Sequence, residues 1–212
     1  MSKSAPAEYY HIFNRGMQKQ VIFNSDDDKF RFLFLILTFQ SDVIIKNISR
    51  ELRESVQHSM LHIKPELRES IIKARTVELN VVTLMPNHFH IIVKELKEGG
   101  VAKYMQRVLN SYTKYFNIKY TKSGHLFQNS YKSVYIENDF QLLHTSGYVH
   151  KNPKEIMEWK NKLEEYPWSS YPDYIGDNRW KFFLVTQPIL ERFKNGSEYK
   201  MFVESSPAKE RL

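Results

Sequence analysis

The 212-residue chain is 42% hydrophobic and carries 31 Lys and Arg against 24 Asp and Glu, a formal charge of +7; the length suits one domain with a sizeable core, and the positive balance favours a polyanionic partner, nucleic acid before membrane. The sequence holds no cysteine, which excludes disulfides, thiolate metal sites and a cysteine nucleophile, so any metal must rest on nitrogen and oxygen donors. The longest apolar run, Phe32–Leu37, is far short of a bilayer span and Met1–Glu8 has no signal-peptide core, so the expected location is the cytoplasm.

Tyr9–Phe13 reads as a first strand, closed by Asn14-Arg15-Gly16, where glycine permits a turn. Ser25-Asp26-Asp27-Asp28 signals a helix start with negative charge at its N-terminus, and Phe30–Phe39 continues it as a densely apolar, buried helix. The stretch 44–76 is charged and helix-prone, with Glu-Leu-Arg-Glu-Ser at 51–55 and again at 66–70. Pro65 suits a helical first turn, so this stretch reads as a two-helix insertion; two pentapeptide copies cannot build a solenoid.

Strands at 79–85 and 88–96 flank Pro86-Asn87. Gly99-Gly100 then precedes a long helix, Val101–Tyr120, whose apolar positions 101, 105, 108, 112 and 116 would pack on a sheet. Leu126–Glu137 is strand-like, and Asn138-Asp139 caps a helix through Phe140, Leu142, Leu143 and Tyr148 that Pro153 stops. In a C-terminal helical extension, 177–212, Thr186 would cap a helix with Pro188 in its first turn, docked by Trp180, Phe182 and Phe183. The order is strand, helix, strand, strand, helix, strand, helix. Its first six elements match an α+β, ferredoxin-like (RRM-like) split βαβ fold, a four-stranded antiparallel sheet with helices on one face, to which the seventh adds a further helix. That topology hosts many functions and decides none.

Chemistry enters at Met85-Pro86-Asn87-His88-Phe89-His90. Side chains alternate along a strand, so His88 and His90 share one face, where they either fill polar niches or hold one metal ion. Tyr148 and Asn152, four apart on a helix, also share a face. An amide oxygen suits a hard divalent ion such as Mg²⁺ or Mn²⁺, and imidazole is acceptable to Mn²⁺. Two His and one Asn would form an uncharged ligand set with positions open to phosphate oxygens. Tyrosine is the residue expected for covalent attack on a phosphodiester when the bond energy must be kept; its phenol, with an ordinary pKa of about 10, needs a metal or base to favour the phenolate. Of the thirteen tyrosines, Tyr10 and Tyr174 also have Asn four residues on, but Tyr10 falls in a strand and Tyr174 is followed by Gly176.

These blocks resemble the HUH single-tyrosine transposases, and especially the REP-associated tyrosine transposase branch. The resemblance is carried by Met85–His90 and then Tyr148-Val149-His150-Lys151-Asn152-Pro153, with Tyr9–Phe23, Gly124–Gln128, Tyr131-Lys132-Ser133 and Trp168–Tyr171 in the same order. It spans residues 9–176 apart from 44–76, within a catalytic domain expected over 1–176. It implies a divalent metal (Mg²⁺ or Mn²⁺) on His88, His90 and Asn152, and Tyr148 as nucleophile. The implied reaction cuts single-stranded DNA beside imperfect hairpins, leaves a 5′-phosphotyrosine and a free 3′-hydroxyl, and rejoins strands. The insertion is longer than the family core leads one to expect. Gly147 is a poor helix residue, which implies either a close approach by DNA or another backbone, or a mobile turn.

From Val101 to Tyr135 there are six basic residues, Lys103, Arg107, Lys114, Lys119, Lys122 and Lys132, six tyrosines and no acid. Cations for phosphates and rings for unpaired bases are the combination used on single strands; Asn14 and Arg15 are further candidates for DNA contact. His11, His125, His144 and His150 are open to contacts with a metal ligand or with DNA, with a structural role expected for each. The rival readings are a replication or mobilisation nickase, a DNA-binding regulator that has lost catalysis, and a ferredoxin-like RNA binder. Whether the chain forms a homodimer is left open.

Overall fold

The computed structural model describes residues 8–57 and 60–206; Met1–Ala7, two residues of the insertion and the chain end from 207 lie outside the described residues. The sheet consists of β1 (Glu8–Arg15), β4 (Val77–Met85), β5 (His88–Glu95) and β6 (Lys132–Ile136), with a separate hairpin of β2 (Val56–Gln57) and β3 (Met60–Leu61). The helices are α1 (Asp26–Thr38), α2 (Ile48–Ser55), α3 (Pro65–Lys73), α4 (Gly100–Lys119), α5 (Asp139–Lys151), α6 (Tyr171–Ile175), α7 (Gln187–Leu190) and α8 (Gly196–Ser205). Strand order is β4-β5-β1-β6 with every pair antiparallel, the ferredoxin-like arrangement.

The period-two alternation of β5 divides the molecule into two layers. Phe89 faces α1, its ring 4.9 Å from Phe32, which in turn lies 4.9 Å from Tyr112 of α4. His90 faces the other way, 5.6 Å from the ring of Tyr148 on α5. The layer of α1 and α4 is dry, with Phe32, Phe34, Leu35, Tyr112 and Phe116 fully buried; each such side chain contributes about 1.5–3 kcal/mol.

α1 is started by a device that does more than cap it. Asp28 accepts from the backbone N–H groups of Asn24 (2.9 Å) and Ser25 (3.1 Å), and its carboxylate also receives Lys119 Nζ (2.7 Å), Tyr120 Oη (2.6 Å) and Tyr115 Oη (2.9 Å) from the end of α4. Burial alone would raise its pKa, but the hydrogen bonds from Lys119, Tyr120 and Tyr115 outweigh it and hold the carboxylate below its ordinary value. One buried acid thus joins the two helices of this layer.

The turn between β4 and β5 is clamped by the segment after β1. Pro86 O accepts from Ile22 N (3.0 Å) and Asn87 O from Gly16 N (2.8 Å). A Cβ on Gly16 would stand 2.3 Å from the Gln20 carbonyl oxygen, so this tight path requires glycine.

Three expectations are corrected. The insertion is helix, short hairpin, helix rather than two helices, because the chain reverses at Val56–Leu61. Only 132–136 of the expected 126–137 strand forms a ladder; Leu126–Tyr131 wraps the end of β1, with a single bridge from Phe127 to Gly16 and Gln128 N on Arg15 O (2.7 Å), and Asn129 adopts a left-handed φ of 56° that breaks the ladder. Thr186 is itself in helical conformation and its side chain makes no cap bond, α7 has four residues, and the longer α8 follows it.

Trp180 and Phe183 are buried as expected, whereas Phe182 is 53% exposed and carries the Arg68 guanidinium of α3 over its ring at 4.5 Å. The C-terminal segment shares the core of the sheet: Val185 N bonds Leu79 O (2.9 Å), Gln40 Nε2 bonds Phe183 O (2.8 Å), and Leu184, Tyr199 and Val203 join the same buried cluster. Among the described residues no helix is long and apolar enough to cross a membrane.

Replacing Asp28 with Ala should lower stability by about 2–4 kcal/mol, because it leaves Lys119 and two tyrosine hydroxyls without their acceptor. Urea unfolding of the variant against the parent chain measures this directly.

Candidate active-site cleft

On the α5 side of the sheet lies a cleft of about 560 Å³ into which β1, β5 and α5 all project. β5 supplies His88 and His90, whose ring centroids are 5.2 Å apart. The end of β1 supplies Phe13, Asn14 and Arg15, and the loop leading into β6 adds Gln128, Asn129, Ser130 and Lys132. α5 and the turn after it bring Tyr148, Asn152 and Glu155.

The tautomer of His88 follows from its neighbour. Asn87 Nδ2 donates to Lys19 O (3.1 Å), which turns Asn87 Oδ1 toward His88 Nδ1 at 2.7 Å. An amide oxygen can only accept, so His88 carries its proton on Nδ1 and leaves Nε2 with a lone pair. Asn152 is fixed in a similar way: its Nδ2 donates to Tyr148 O (2.9 Å) and its side chain also hydrogen-bonds His88. His90 Nδ1 meets His11 Nε2 at 2.9 Å.

Burial pushes the His88 pKa down to about 4, with the Arg15 charge adding to the drop and the Asn152 hydrogen bond opposing it. Burial is also the main cause at His90, which lies well below its ordinary value, and it lowers His11 to about 4. All three rings are therefore neutral near pH 7, the form in which imidazole offers lone pairs.

Pro153 ends the α-helix but not the turning of the chain, since Asn152–Glu155 continues as one 3₁₀ turn. Residues three apart eclipse in that geometry, which sets Glu155 beside Asn152 on the cleft. The sequence reading passed over Glu155; its signal was the proline directly after a helix-terminal Asn. Gln128, Asn129 and Ser130 carry no separate signal in the sequence, because they fall within the strand-like run 126–137.

α5 is seated by α8. A Cβ on Gly147 would lie 3.3 Å from the Phe202 ring, so the glycine admits a packed aromatic side chain of α8 rather than a mobile turn. Lys151 Nζ donates to Glu204 O at 3.1 Å, at the end of α8. His150 is fully buried and structural, with Nδ1 2.7 Å from Tyr199 Oη and Nε2 2.8 Å from Ser170 Oγ. His144 packs between Phe140 and Phe202, His125 is exposed, and His11 lies against His90.

The basic residues divide. Arg15 and Lys132 line the cleft, together with Asn14. Lys103, Arg107, Lys114 and Lys119 sit on α4, across the sheet from it. Lys119 is committed to Asp28, and Arg107 donates to the carbonyls of Ser41 and Val43 while covering the Phe39 ring at 4.5 Å. Lys122 covers the Phe116 ring at 5.5 Å, and Lys103 and Lys114 are exposed. Among the described residues no group of three or more His, Cys, Asp or Glu is placed to hold a metal; the donors gathered here are two imidazoles and an amide.

Residues 49–152, which include His88, His90, Tyr148 and Asn152, match the family model described as "Transposase IS200 like". Among solved structures, that of a REP-associated tyrosine transposase bound to a REP hairpin is similar with a TM-score of 0.51 and 13% identity, over 87% of this chain and 92% of that one. At that identity the likeness is one of fold. No curated protein sequence matches the chain.

The buried imidazoles set a pH dependence. Unfolded, they take up protons near pH 6.5; folded, His11 and His88 stay neutral down to about 4 and His150 down to about 3. Between those values the unfolded chain binds more protons, so stability is complete above pH 6.5 and is lost as pH falls toward 4. Thermal melts in EDTA should show a midpoint that is level above pH 7 and drops steadily below about 6.5; a midpoint independent of pH from 7 to 4.5 would contradict the buried placement.

Proposed function

From the homology of residues 49–152 to the IS200-like transposases, which supports a place in the HUH tyrosine transposase superfamily, we propose that the chain is a DNA-nicking and strand-joining enzyme of the REP-associated tyrosine transposase type. The observation that carries this reading is the meeting of Tyr148, His88, His90 and Asn152 on one cleft. The proposed substrate is single-stranded DNA beside a hairpin, met in the cytoplasm; the similar solved structure is bound to a REP hairpin.

The donor set suits a divalent cation. His88 Nε2 carries a lone pair beside the Asn152 side chain, Asn152 has an amide oxygen that its bond to Tyr148 O does not use, both histidines are neutral, and no thiolate competes. His88, His90 and Asn152 would hold Mg²⁺ or Mn²⁺. When bound, that ion supplies Lewis-acid stabilisation of charge on the scissile phosphate.

The remaining work falls to the chain. Arg15 and Lys132 pair with phosphates on either side of the cut. The Tyr148 phenol oxygen attacks phosphorus, the bond from phosphorus to the 3′ oxygen breaks, and the phenolic proton ends on that oxygen as a free 3′-hydroxyl. The 5′ side stays on Tyr148 as a phosphodiester. A 3′-hydroxyl from another end then attacks the same phosphorus, the bond to the phenol oxygen breaks, and the proton returns to the tyrosine. One phosphodiester is exchanged for another without ATP.

Labelled single strands from the DNA flanking the gene, incubated with Mn²⁺ or EDTA and run on a denaturing gel, should give a covalent adduct that needs Mn²⁺. Tyr148→Phe should abolish the adduct and spare DNA binding, whereas His88→Ala should lower metal affinity and cleavage together; full cleavage by Tyr148→Phe would overturn the assignment. Arg15→Ala and Lys132→Ala should each weaken single-strand binding and reduce the slope of log affinity against log salt by about 0.7, as read by fluorescence anisotropy across a salt series.

A further inference from the structure

We propose that His11 is a positioning residue, which fixes the nitrogen that His90 turns to the cleft; this rests on the metal site proposed above and deepens it. In the antiparallel register His11 pairs with Ile92 and Phe13 with His90, so His11 is the diagonal neighbour of His90 on the same face. Their ring centroids lie 5.1 Å apart with planes 21° from parallel, and His11 Nε2 lies 2.9 Å from His90 Nδ1, so the rings meet nitrogen to nitrogen. His11 is 1% exposed and His90 5%.

Two neutral imidazoles joined nitrogen to nitrogen share one N–H. If His11 donates, the proton of His90 must sit on Nε2 and that nitrogen has no lone pair for a cation. If His90 donates from Nδ1, its Nε2 is open. Breaking the pair instead would leave a buried polar group unsatisfied. Cation binding through Nε2 therefore requires His11 Nε2 as the acceptor.

Asn87 Oδ1 does the same for His88, with its orientation set by the bond from Asn87 Nδ2 to Lys19 O. Each imidazole thus has its own acceptor, an amide for one and a second imidazole for the other. Both acceptors are uncharged. The His11 and Tyr148 rings also meet at a steep angle, centroids 6.0 Å apart and planes at 78°, so the same side chain supports the wall from which the tyrosine projects.

The test is Mn²⁺ affinity of the full chain without DNA, read from the free-ion electron paramagnetic resonance signal, for wild type, His88→Ala, His11→Leu and His11→Gln. Wild type should bind Mn²⁺ and His88→Ala should lose it. His11→Leu should weaken binding about 10–100-fold with circular dichroism unchanged, and His11→Gln, whose amide oxygen can accept from His90, should recover most of the affinity.

Long-range ¹H–¹⁵N spectra of wild type in Mg²⁺ should show His90 protonated on Nδ1, a readout that does not depend on any variant folding. His90 protonated on Nε2, or a folded His11→Leu with wild-type affinity while His88→Ala has lost it, would overturn the role of His11 alone. Wild type that binds no Mn²⁺, or His88→Ala that binds as tightly as wild type, would overturn the metal site and this inference together.

Discussion

The register of β1 against β5 governs the candidate site. Phe13 opposite His90 and Arg15 opposite His88 put two imidazoles, a guanidinium and the His11 ring on one face. Side chains alternate with a period of two, so a slip by one residue would send His90 into the α1–α4 layer and Phe89 into the cleft. The burial of Phe89, Ile91 and Val93 on the dry face therefore holds the polar face in place. The turn at Pro86-Asn87, clamped by Gly16 and Ile22, pins the same register from its end, and its Asn87 side chain also sets the His88 tautomer.

The two faces of the sheet are stabilised by different physics. On one, hydrocarbon burial dominates and a single carboxylate, Asp28, gathers the polar groups of α1 and α4. On the other, α5 rests on a lattice of buried polar groups: Tyr199, His150 and Ser170 run in a chain from α8 to β4, where Ser170 Oγ accepts from Val82 N at 3.0 Å. Such a network fixes orientation as well as contributing energy, because each member satisfies a buried neighbour. The face that holds the cleft is the one oriented by directional bonds.

β1, β4 and β5 were legible as apolar runs, α4 from its apolar spacing, and α1 and α5 from their capping residues, whereas β2 and β3 were not. His88, His90, Tyr148 and Asn152 were legible as types at informative spacings, and the cleft does bring them together. The uses of Lys119 and Arg107 were not, because their partners Asp28, Ser41 and Val43 lie far away in sequence and no local pattern announces them. A run of cations without acids looked like one surface; folding spends two of its members inside the scaffold. α8 offered Tyr199, Phe202 and Val203 as one apolar face over a single turn, too short to separate from a loop. Gly147 is explained only once Phe202 is known to lie over it.

The dependence of α5 on α8 bears on the order in which the molecule is made. The helix that carries Tyr148 leaves the ribosome well before Gly196–Ser205, and until that later segment emerges, Gly147 lacks its covering ring and His150 lacks the Tyr199 hydroxyl. A nascent chain can thus have both histidines and the tyrosine and still lack the seat that aims them at one another. Assembly of the cleft is coupled to synthesis of a distant downstream helix, so a half-made chain does not yet present a finished cleft.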